Sequence, residues 1–336
     1  MRGNRRYPPS PPLIHGRIHP VTETDARALL ADYSLGELRA LRGIPSGIEN
    51  TNYFLTTSQG EYVLTLFERL TREQLPFYID LMTHLAEHGI PVPHPQATHD
   101  GRRLAELNGK PCTIATLLPG KCEMSPLPAH CGQVGATLAR MHLAGRDFPT
   151  MQPNLLGLDW WRETAPVVAP YLDPAAAAML RDEVEVQTAF AQTDVCRALP
   201  RGPAHCDLFR DNVLFAGTRE APVLGGFIDF YFAGCDTWLF DLAVCVNDWC
   251  IDHASGAIRP ELAQTMLGAY DQVRPLADGE RDAWRTVLRS AALRFWMSRL
   301  RDFHLPRPAQ TLTPHDPTHF ERILRLRRDG DIFPLP

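Results

Sequence analysis

The chain has 336 residues, with 44% hydrophobic and 22% charged side chains and a formal net charge of −5 at pH 7. This composition is that of an ordinary globular protein, and at roughly 100–200 residues per domain the length allows two lobes with separate cores. The slightly acidic balance argues against nucleic-acid or membrane-surface partners. No segment approaches the ~18 consecutive apolar residues that a transmembrane helix requires.

Eight cysteines are scattered without a Cys-x-x-Cys pair, so neither a zinc knuckle nor a redox disulfide is indicated. Because no signal peptide is evident, they are expected to be reduced thiols in a cytoplasmic protein. Residues 1–20 are rich in proline and arginine and contain no acid. We expect them to form a disordered tail, or an over-extended start, with no function of its own.

The first predicted element is a capped helix over 22–33. A glycine-containing segment over 43–55 follows, with the pattern of a β-hairpin that turns near Ser46-Gly47. Such a turn lets backbone N–H groups approach phosphate oxygens without an intervening Cβ. Taken alone, the pattern favours a plain β-turn.

Three further elements are predicted in the first part of the chain. Residues 61–67 are β-branched and aromatic, which indicates a strand, and 75–89 have the apolar spacing of an amphipathic helix. A hairpin around Asp100-Gly101 then leads to an apolar strand over 111–118. Pro119-Gly120 ends this strand, and we interpret it as a hinge between two lobes.

The second part is predicted to be mainly helical. Its first helix begins near Cys131, and the alanine run 175–178 strongly favours another. A third helix starts after Asp236, where an acid would cap the first turn and Asp241 would hydrogen-bond back to an earlier loop. A later helix over 285–301 carries arginines among apolar residues.

The most informative stretch lies at 204–230. Asp207 and Asn212 occupy a short polar run before an apolar pair, and a second apolar run ends on Asp229. These patterns predict a hairpin of two short strands with the polar side chains at one edge. The arrangement suits phosphoryl transfer, with Asp207 orienting the proton of an attacking hydroxyl while Asn212 and Asp229 hold Mg²⁺ on the phosphates. The alternative is two buried strands joined by an ordinary Asx-rich turn.

The spacing of these residues carries a resemblance. His205-x-Asp207, with Asn212 five residues later and Asp229 beyond, resembles the H-x-D-x-x-x-x-N and D-F-G motifs of protein kinases. The chain resembles the aminoglycoside phosphotransferase-like branch of the kinase fold, whose last motif runs Ile-Asp-aromatic. Within that branch, 205–215 and 47–54 most resemble the kinase-like bacterial homoserine kinases.

The resemblance implies a set of roles. Asp207 and His205 would be catalytic, and Asn212 and Asp229 would bind the metal. Asp241 would steady His205 and the backbone around Asp207. The residues expected to contact ATP are Ser46, Gly47, Asn50, Asn52, Thr65, Thr116 and Leu118.

The resemblance also exposes a departure from the kinase pattern. In kinases the third strand carries a lysine that neutralises the α- and β-phosphates, and the matching position here is Thr65. A hydroxyl donates a hydrogen bond but supplies no charge. Either Mg²⁺ and loop amides neutralise the phosphates, or another cation reaches in.

These observations predict an α+β, two-lobed protein-kinase-like fold. A small antiparallel-sheet lobe would span 21–118, a larger and mainly helical lobe 119–336, and ATP with Mg²⁺ would lie between them. The resemblance implies transfer of the γ-phosphate to the hydroxyl of L-homoserine, giving O-phospho-L-homoserine for threonine biosynthesis. The expected partners are ATP and this small amino acid, while the oligomeric state stays open.

Two alternatives remain at this point. One is another small-molecule kinase of the same branch, acting on a sugar, a choline-like alcohol or an aminoglycoside. The other is a catalytically inactive nucleotide-binding regulator, which only the missing strand lysine suggests.

A zwitterionic acceptor needs a cation for its carboxylate and an acid for its ammonium. Arginine grips a carboxylate bidentately, so Arg294 or Arg299 is the candidate for the carboxylate and Asp248 for the ammonium. The alternative is that these side chains pair with local acids such as Asp302, leaving the carboxylate to backbone amides. Aminoglycosides are polycations and would need an acid-rich pocket, whereas the late segments of this chain are rich in arginine.

Overall fold

The first part of the chain builds a five-stranded antiparallel sheet. The computed structural model describes residues 20–44, 50–306 and 315–336, so the tail over 1–19 and the turn at Ser46 and Gly47 lie outside the described residues. The strands are β1 (Leu38–Ile44), β2 (Asn50–Thr57), β3 (Glu61–Phe67), β4 (Ala105–Leu107) and β5 (Lys110–Thr116), in the spatial order β1-β2-β3-β5-β4.

The core of this sheet is made by apolar residues from its central strands. Leu64 and Leu66 of β3 are fully buried together with Leu55 of β2 and Ile114 of β5. Burying each such side chain contributes roughly 1.5–3 kcal/mol. Helix α1 (Glu23–Leu30) packs its apolar residues into the same cluster, and α2 (Pro76–Glu87) contributes to the larger core of the helical part. The strand and both helices predicted here are confirmed.

The turn into β5 differs from the prediction. A tight turn does form at Asp100-Gly101, but the hairpin that pairs β4 with β5 turns at Asn108-Gly109. The φ angles of these two residues are +52° and +74°. A two-residue hairpin needs positive φ at both central positions, which Asn-Gly adopts readily. The predicted hairpin position was therefore wrong.

The second part of the chain is mainly helical, as predicted. Its longest helices pack in pairs around one large apolar core. The helices are α3 (Pro128–Ala144), α4 (Leu158–Val168), α5 (Pro174–Ala191), α6 (Asp194–Ala198), α7 (Trp238–Trp249), α8 (Pro260–Val273), α9 (Asp278–His304) and α10 (Thr318–Asp329). Two small sheets join them, one of β7 (Arg201–Ala204) with β10 (Gly234–Thr237) and one of β6 (Lys121–Cys122), β8 (Val213–Gly217) and β9 (Pro222–Phe227).

Helix α7 begins differently from the predicted acidic cap. The side chain of Thr237 accepts the Phe240 N–H (3.3 Å) and is the true cap. Asp236 instead accepts from Asn154 Nδ2 (2.8 Å) and so ties the start of α7 to the chain ahead of α4. Asp241, one turn into the helix, is left to face the loop that follows β7.

Two glycines in β9 let two segments of the first part of the chain pass close to this strand, one that follows α2 and one in the connection after β5. A Cβ on Gly225 would lie 1.9 Å from the carbonyl oxygen of Pro119, and one on Gly226 would lie 2.3 Å from that of Pro91. Phe227 N–H donates to the same Pro91 oxygen (2.9 Å). The lobe boundary predicted at 118/119 falls in this connection and stays a prediction. In the described ranges, no helix combines the length and apolar character needed to cross a membrane.

Candidate active site

The site is built around the central loop, residues 205–212, which joins β7 to β8. Its first two residues are held from below by Asp241, whose two carboxylate oxygens accept the backbone N–H groups of His205 and Cys206 (2.8 Å each). Cys206 has a left-handed φ of +62°, a conformation that an L-residue adopts only when its surroundings enforce it. The bonds to Asp241 provide that enforcement.

Asp241 is itself completely buried and supported by a residue pair that sequence reasoning missed. His142 Nε2 lies 3.1 Å from its Oδ2, and His142 Nδ1 lies 2.7 Å from the Tyr270 hydroxyl. Burial alone would raise the pKa of the Asp241 carboxyl, but hydrogen bonds from His142 and the loop amide outweigh it and hold the pKa below its usual value. Asp241 therefore stays a carboxylate inside the core. The available sequence signal was a histidine in the predicted helix that begins near Cys131.

His205 lies beneath the cleft. Its ring is fully buried, packs 4.5 Å from the ring of Phe230, and donates from Nε2 to the carbonyl oxygen of Ile228 (2.9 Å). Burial lowers the pKa of His205, which keeps the ring neutral. The histidine thereby joins the central loop to the residue immediately before Asp229.

Asp207 projects from the loop with 16% of its side chain exposed. Burial raises the pKa of this carboxyl to about 7, Arg294 opposes the rise, and Asp229 adds to it. The Arg294 guanidinium lies 4.0 Å from Asp207 Oδ1. A carboxylate of this basicity is suited to accept a proton near neutral pH.

Asn212 and Asp229 lie at the same end of the β8–β9 hairpin. Ile228 N–H donates to the Asn212 carbonyl (2.9 Å), and Asn212 Nδ2 donates to the carbonyl of Asp207 (2.8 Å). The amide oxygen of Asn212 consequently faces away from the loop. Asp229 is exposed, and its left-handed φ of +63° turns the chain just after β9.

This pair fits a divalent cation bound to a nucleotide. Both side chains offer the hard oxygen donors that Mg²⁺ takes. In the described part of the chain, no cluster of three or more His, Cys, Asp or Glu residues forms a metal site. A phosphate-bound Mg²⁺ does not need one, because the phosphates and water fill most of its positions.

In the five-stranded sheet, the side chains of Thr65 and Asn52 form a hydrogen bond with each other. They are register partners on β3 and β2, and the Thr65 hydroxyl donates to Asn52 Oδ1 (2.8 Å). Asn50 is the first residue of β2 and pairs with Phe67. Residues 45–49, which precede Asn50, lie outside the described part of the chain.

Part of the backbone that was predicted to bind adenine already forms hydrogen bonds within the protein. Thr116 N–H donates to the His94 carbonyl (3.1 Å), and Leu117 N–H donates to the Glu61 carbonyl (3.2 Å). The Thr116 hydroxyl also accepts the His94 N–H (2.9 Å). Leu118 comes next, and its side chain lies against Gly226 at the end of β9.

The structure gives Asp248 a partner that sequence reasoning did not foresee. Its carboxylate accepts the backbone N–H of Arg210 (2.9 Å) and the same residue's Nε (3.1 Å). Arg210 also donates to the Met124 carbonyl and approaches His253 Nδ1 (3.2 Å). Asp248 thus braces the central loop from α7.

The two candidate arginines lie on α9 near Asp207. Arg294 is 4% exposed, and its guanidinium stacks on the rings of Phe295 (4.0 Å) and Phe232 (5.5 Å). Burial lowers the pKa of Arg299, whereas the carboxylates of Asp207, Asp302 and Asp211 raise it. Arg299 therefore sits among acids at the outer part of the same cleft.

A small antiparallel sheet above a helical body, with an acidic loop and a carboxylate-bearing hairpin between them, defines a protein-kinase-like phosphotransferase. Two solved structures share this fold. They are the amicoumacin kinase hAmiN in complex with AMP-PNP, Ca²⁺ and Ami (TM-score 0.66, 17% identity, 92% of this chain and 95% of that one) and a microcompartment-associated aminopropanol kinase (TM-score 0.61, 16% identity, 92% and 98%). The predicted kinase-like fold is confirmed.

The sequence comparisons go further than the fold. Residues 40–276 match the phosphotransferase enzyme family, and the chain belongs to this family. It is 57% identical over 311 residues to the homoserine kinases of Burkholderia mallei (strain SAVP1) and Burkholderia pseudomallei (strain K96243). These alignments cover 91% of this chain and 94% of each relative.

Proposed function

We propose that this protein is an ATP-dependent homoserine kinase, which phosphorylates the side-chain hydroxyl of L-homoserine to O-phospho-L-homoserine in threonine biosynthesis. The observation that carries the proposal is 57% identity to homoserine kinases along nearly the whole chain. The retention of Asp207, Asn212 and Asp229 at one loop and hairpin end argues against an inactive regulator.

Asp207 acts on the acceptor. Its carboxylate orients the homoserine hydroxyl and takes the proton as the new P–O bond forms. Asn212 and Asp229 would hold Mg²⁺, which would supply positive charge to the phosphates. His205 and Asp241 position these groups by tying the central loop to Ile228 and to the core.

The sheet binds the nucleotide mainly through backbone groups. Ser46, Gly47 and Asn50 border the phosphates, and the Thr65–Asn52 hydrogen bond fixes the strands behind them. Leu118 contributes the adenine-facing backbone. The N–H of Thr116 already donates to the His94 carbonyl, so it is not assigned to adenine. Thr116 instead supports the segment through its two hydrogen bonds to His94.

The carboxylate and ammonium of the acceptor bind further from Asp207 than its hydroxyl does. We assign the carboxylate to Arg299, because a guanidinium keeps its charge and this one is half-buried, five residues beyond Arg294 on α9. The ammonium is assigned to Asp211, which is exposed on the central loop beside Arg299. Asp248 was the sequence-based candidate, and we replace it because an ammonium would have to displace Arg210.

The test is acceptor-dependent release of ADP from ATP and Mg²⁺. L-homoserine, 3-aminopropanol, kanamycin and no acceptor are compared, with product identity checked by mass spectrometry. Homoserine should give the highest kcat/KM, and Asp207→Asn should lower turnover with every acceptor by about 10²–10⁴-fold. Preference for kanamycin or equal use of 3-aminopropanol would overturn the homoserine assignment. Absence of transfer to any acceptor, together with tight ATP binding, would favour the regulator.

A further inference from the structure

The cleft lacks the cation that kinases place on the third strand, and a different element offers one. Thr65 occupies the strand position and its hydroxyl is engaged by Asn52 (2.8 Å). Arg294 approaches Asp207 from α9, on the opposite side of the cleft. Its guanidinium is the cation nearest the carboxylate among the ion pairs found in the described residues.

The surroundings of Arg294 fix its position. The guanidinium lies 4.0 Å from the ring centre of Phe295 and 5.5 Å from that of Phe232, and its Nη1 donates to Ser298 Oγ (3.2 Å). Phe232 belongs to the turn that begins at Asp229. Arg294 therefore contacts Phe232, three residues after Asp229, and pairs with Asp207 of the central loop. The γ-phosphate must pass between those two segments.

Arg294 and Arg299 occupy different positions along and around α9. Arg299 lies five residues after Arg294, which is about 7.5 Å along the axis and roughly 140° around it at a rise of ~1.5 Å per residue. Arg294 is buried and pairs with Asp207 at 4.0 Å, whereas Arg299 is only half-buried. The hydroxyl and carboxylate of homoserine stand at opposite ends of the molecule. An acceptor whose hydroxyl reaches Asp207 thus places its reacting end beside Arg294 and its carboxylate towards Arg299.

We propose that Arg294 is a catalytic residue whose guanidinium binds the non-bridging oxygens of the transferred phosphoryl group, and so supplies from α9 the charge that position 65 lacks. This inference rests on the proposed phosphoryl transfer. In the step, the bond from the γ-phosphorus to the ADP oxygen breaks and a bond to the acceptor oxygen forms. The hydroxyl proton goes to Asp207. Arg294 donates hydrogen bonds throughout and exchanges no proton, because a guanidinium keeps its charge even when buried.

The first test separates this role from a carboxylate clamp. Arg294→Ala should lower kcat by about 10²–10³-fold, the usual loss when a donor aimed at developing charge is removed. The factor should be the same for homoserine, for 3-aminopropanol and for the slow transfer to water. Arg299→Ala should instead act mainly on acceptor binding and raise KM for homoserine roughly 10–100-fold. A loss at Arg294→Ala confined to the KM of homoserine would overturn the proposal.

The second test separates it from indirect positioning of Asp207. In an Asp207→Asn background, Arg294→Ala should still reduce the residual rate by a similar factor, because the two residues act on different atoms. No further reduction would mean that Arg294 acts only through Asp207.

Two controls keep the outcome interpretable. Arg285→Ala, at an exposed position of the same helix, should leave kcat unchanged. If Arg294→Ala does not fold, Arg294→Lys is used, and added guanidinium should restore part of the rate to any folded variant. If homoserine proves not to be the acceptor, the same comparison is run with transfer to water, so the two proposals fail separately.

Discussion

Asp241→Asn tests whether one buried carboxylate holds the central loop in place. The amide retains one acceptor oxygen, but its NH₂ group must face a backbone N–H of His205 or Cys206 that now has no acceptor. A hydrogen bond to a charged group contributes about 1.5–3 kcal/mol, and an unpaired buried donor costs about 1–3 kcal/mol more. We therefore expect the free energy of unfolding to fall by roughly 3–6 kcal/mol.

The measurement is thermal unfolding followed by circular dichroism, together with steady-state kinetics. The midpoint should fall by roughly 6–24 °C if each kcal/mol shifts it by ~2–4 °C, and kcat should fall because Cys206 relaxes from its left-handed φ. The comparison is Asp236→Asn, in which the amide keeps one oxygen for Thr237 N–H and loses the acceptor of the Asn154 side chain instead of that of a loop N–H. A midpoint within 1–2 °C of the parent protein would refute the reasoning, because that corresponds to less than about 1 kcal/mol.

The pH dependence of this effect has a defined sign. The folded-state pKa of Asp241 is lowered, so its contribution to stability is present above the unfolded-state pKa. The contribution is lost as the pH falls through the folded-state pKa. The difference in unfolding free energy between the parent protein and Asp241→Asn should consequently be largest near neutral pH and shrink below about pH 4.

Three further substitutions address the site itself. Asp207→Asn should reduce kcat by about 10²–10⁴-fold with an unchanged unfolding midpoint, and near-normal turnover would remove Asp207 from the proton transfer. Asp229→Ala should weaken binding of Mg²⁺-ATP or abolish transfer even at high Mg²⁺. A metal titration identical to that of the parent protein would make Asp229 structural. Thr65→Ala should cost nucleotide binding only about 0.5–1.5 kcal/mol by calorimetry, since it deletes one neutral hydrogen bond; complete loss of activity in a folded variant would contradict this.

The sequence was most informative where one local pattern determined the structure. The run over 61–67 became β3 because β-branched and aromatic residues suit a pleated, buried strand. The polar run before Val213 became a loop at the end of a hairpin because the two apolar runs that follow it pair with each other. Asn108-Gly109 was the strongest short hairpin signal in the chain, and its position could have been predicted.

The remaining features depend on contacts between distant residues, which no local pattern reveals. His142 meets Asp241 across 99 positions, and Arg210 meets Asp248 across 38. Sequence spacing showed that Asp248 lies on an apolar helix, but not that its carboxylate is already engaged. The Gly225-Gly226 pair is likewise explained only by the carbonyl oxygens that approach it from another segment.

The charged groups of the site are distributed unevenly between the two parts of the fold. On the sheet, Thr65 and Asn52 form a neutral hydroxyl–amide pair at the strand position where kinases carry a lysine, whereas the groups assigned to chemistry all belong to the helical part. There Asp241 anchors the loop at 2.8 Å and Arg294 stands 4.0 Å from Asp207. Distances within one packed body do not change when a sheet moves relative to it. On the proposed mechanism, the relative position of base, metal ligands and phosphoryl-binding cation is therefore set before the nucleotide arrives, and the sheet has only to deliver the γ-phosphate to it.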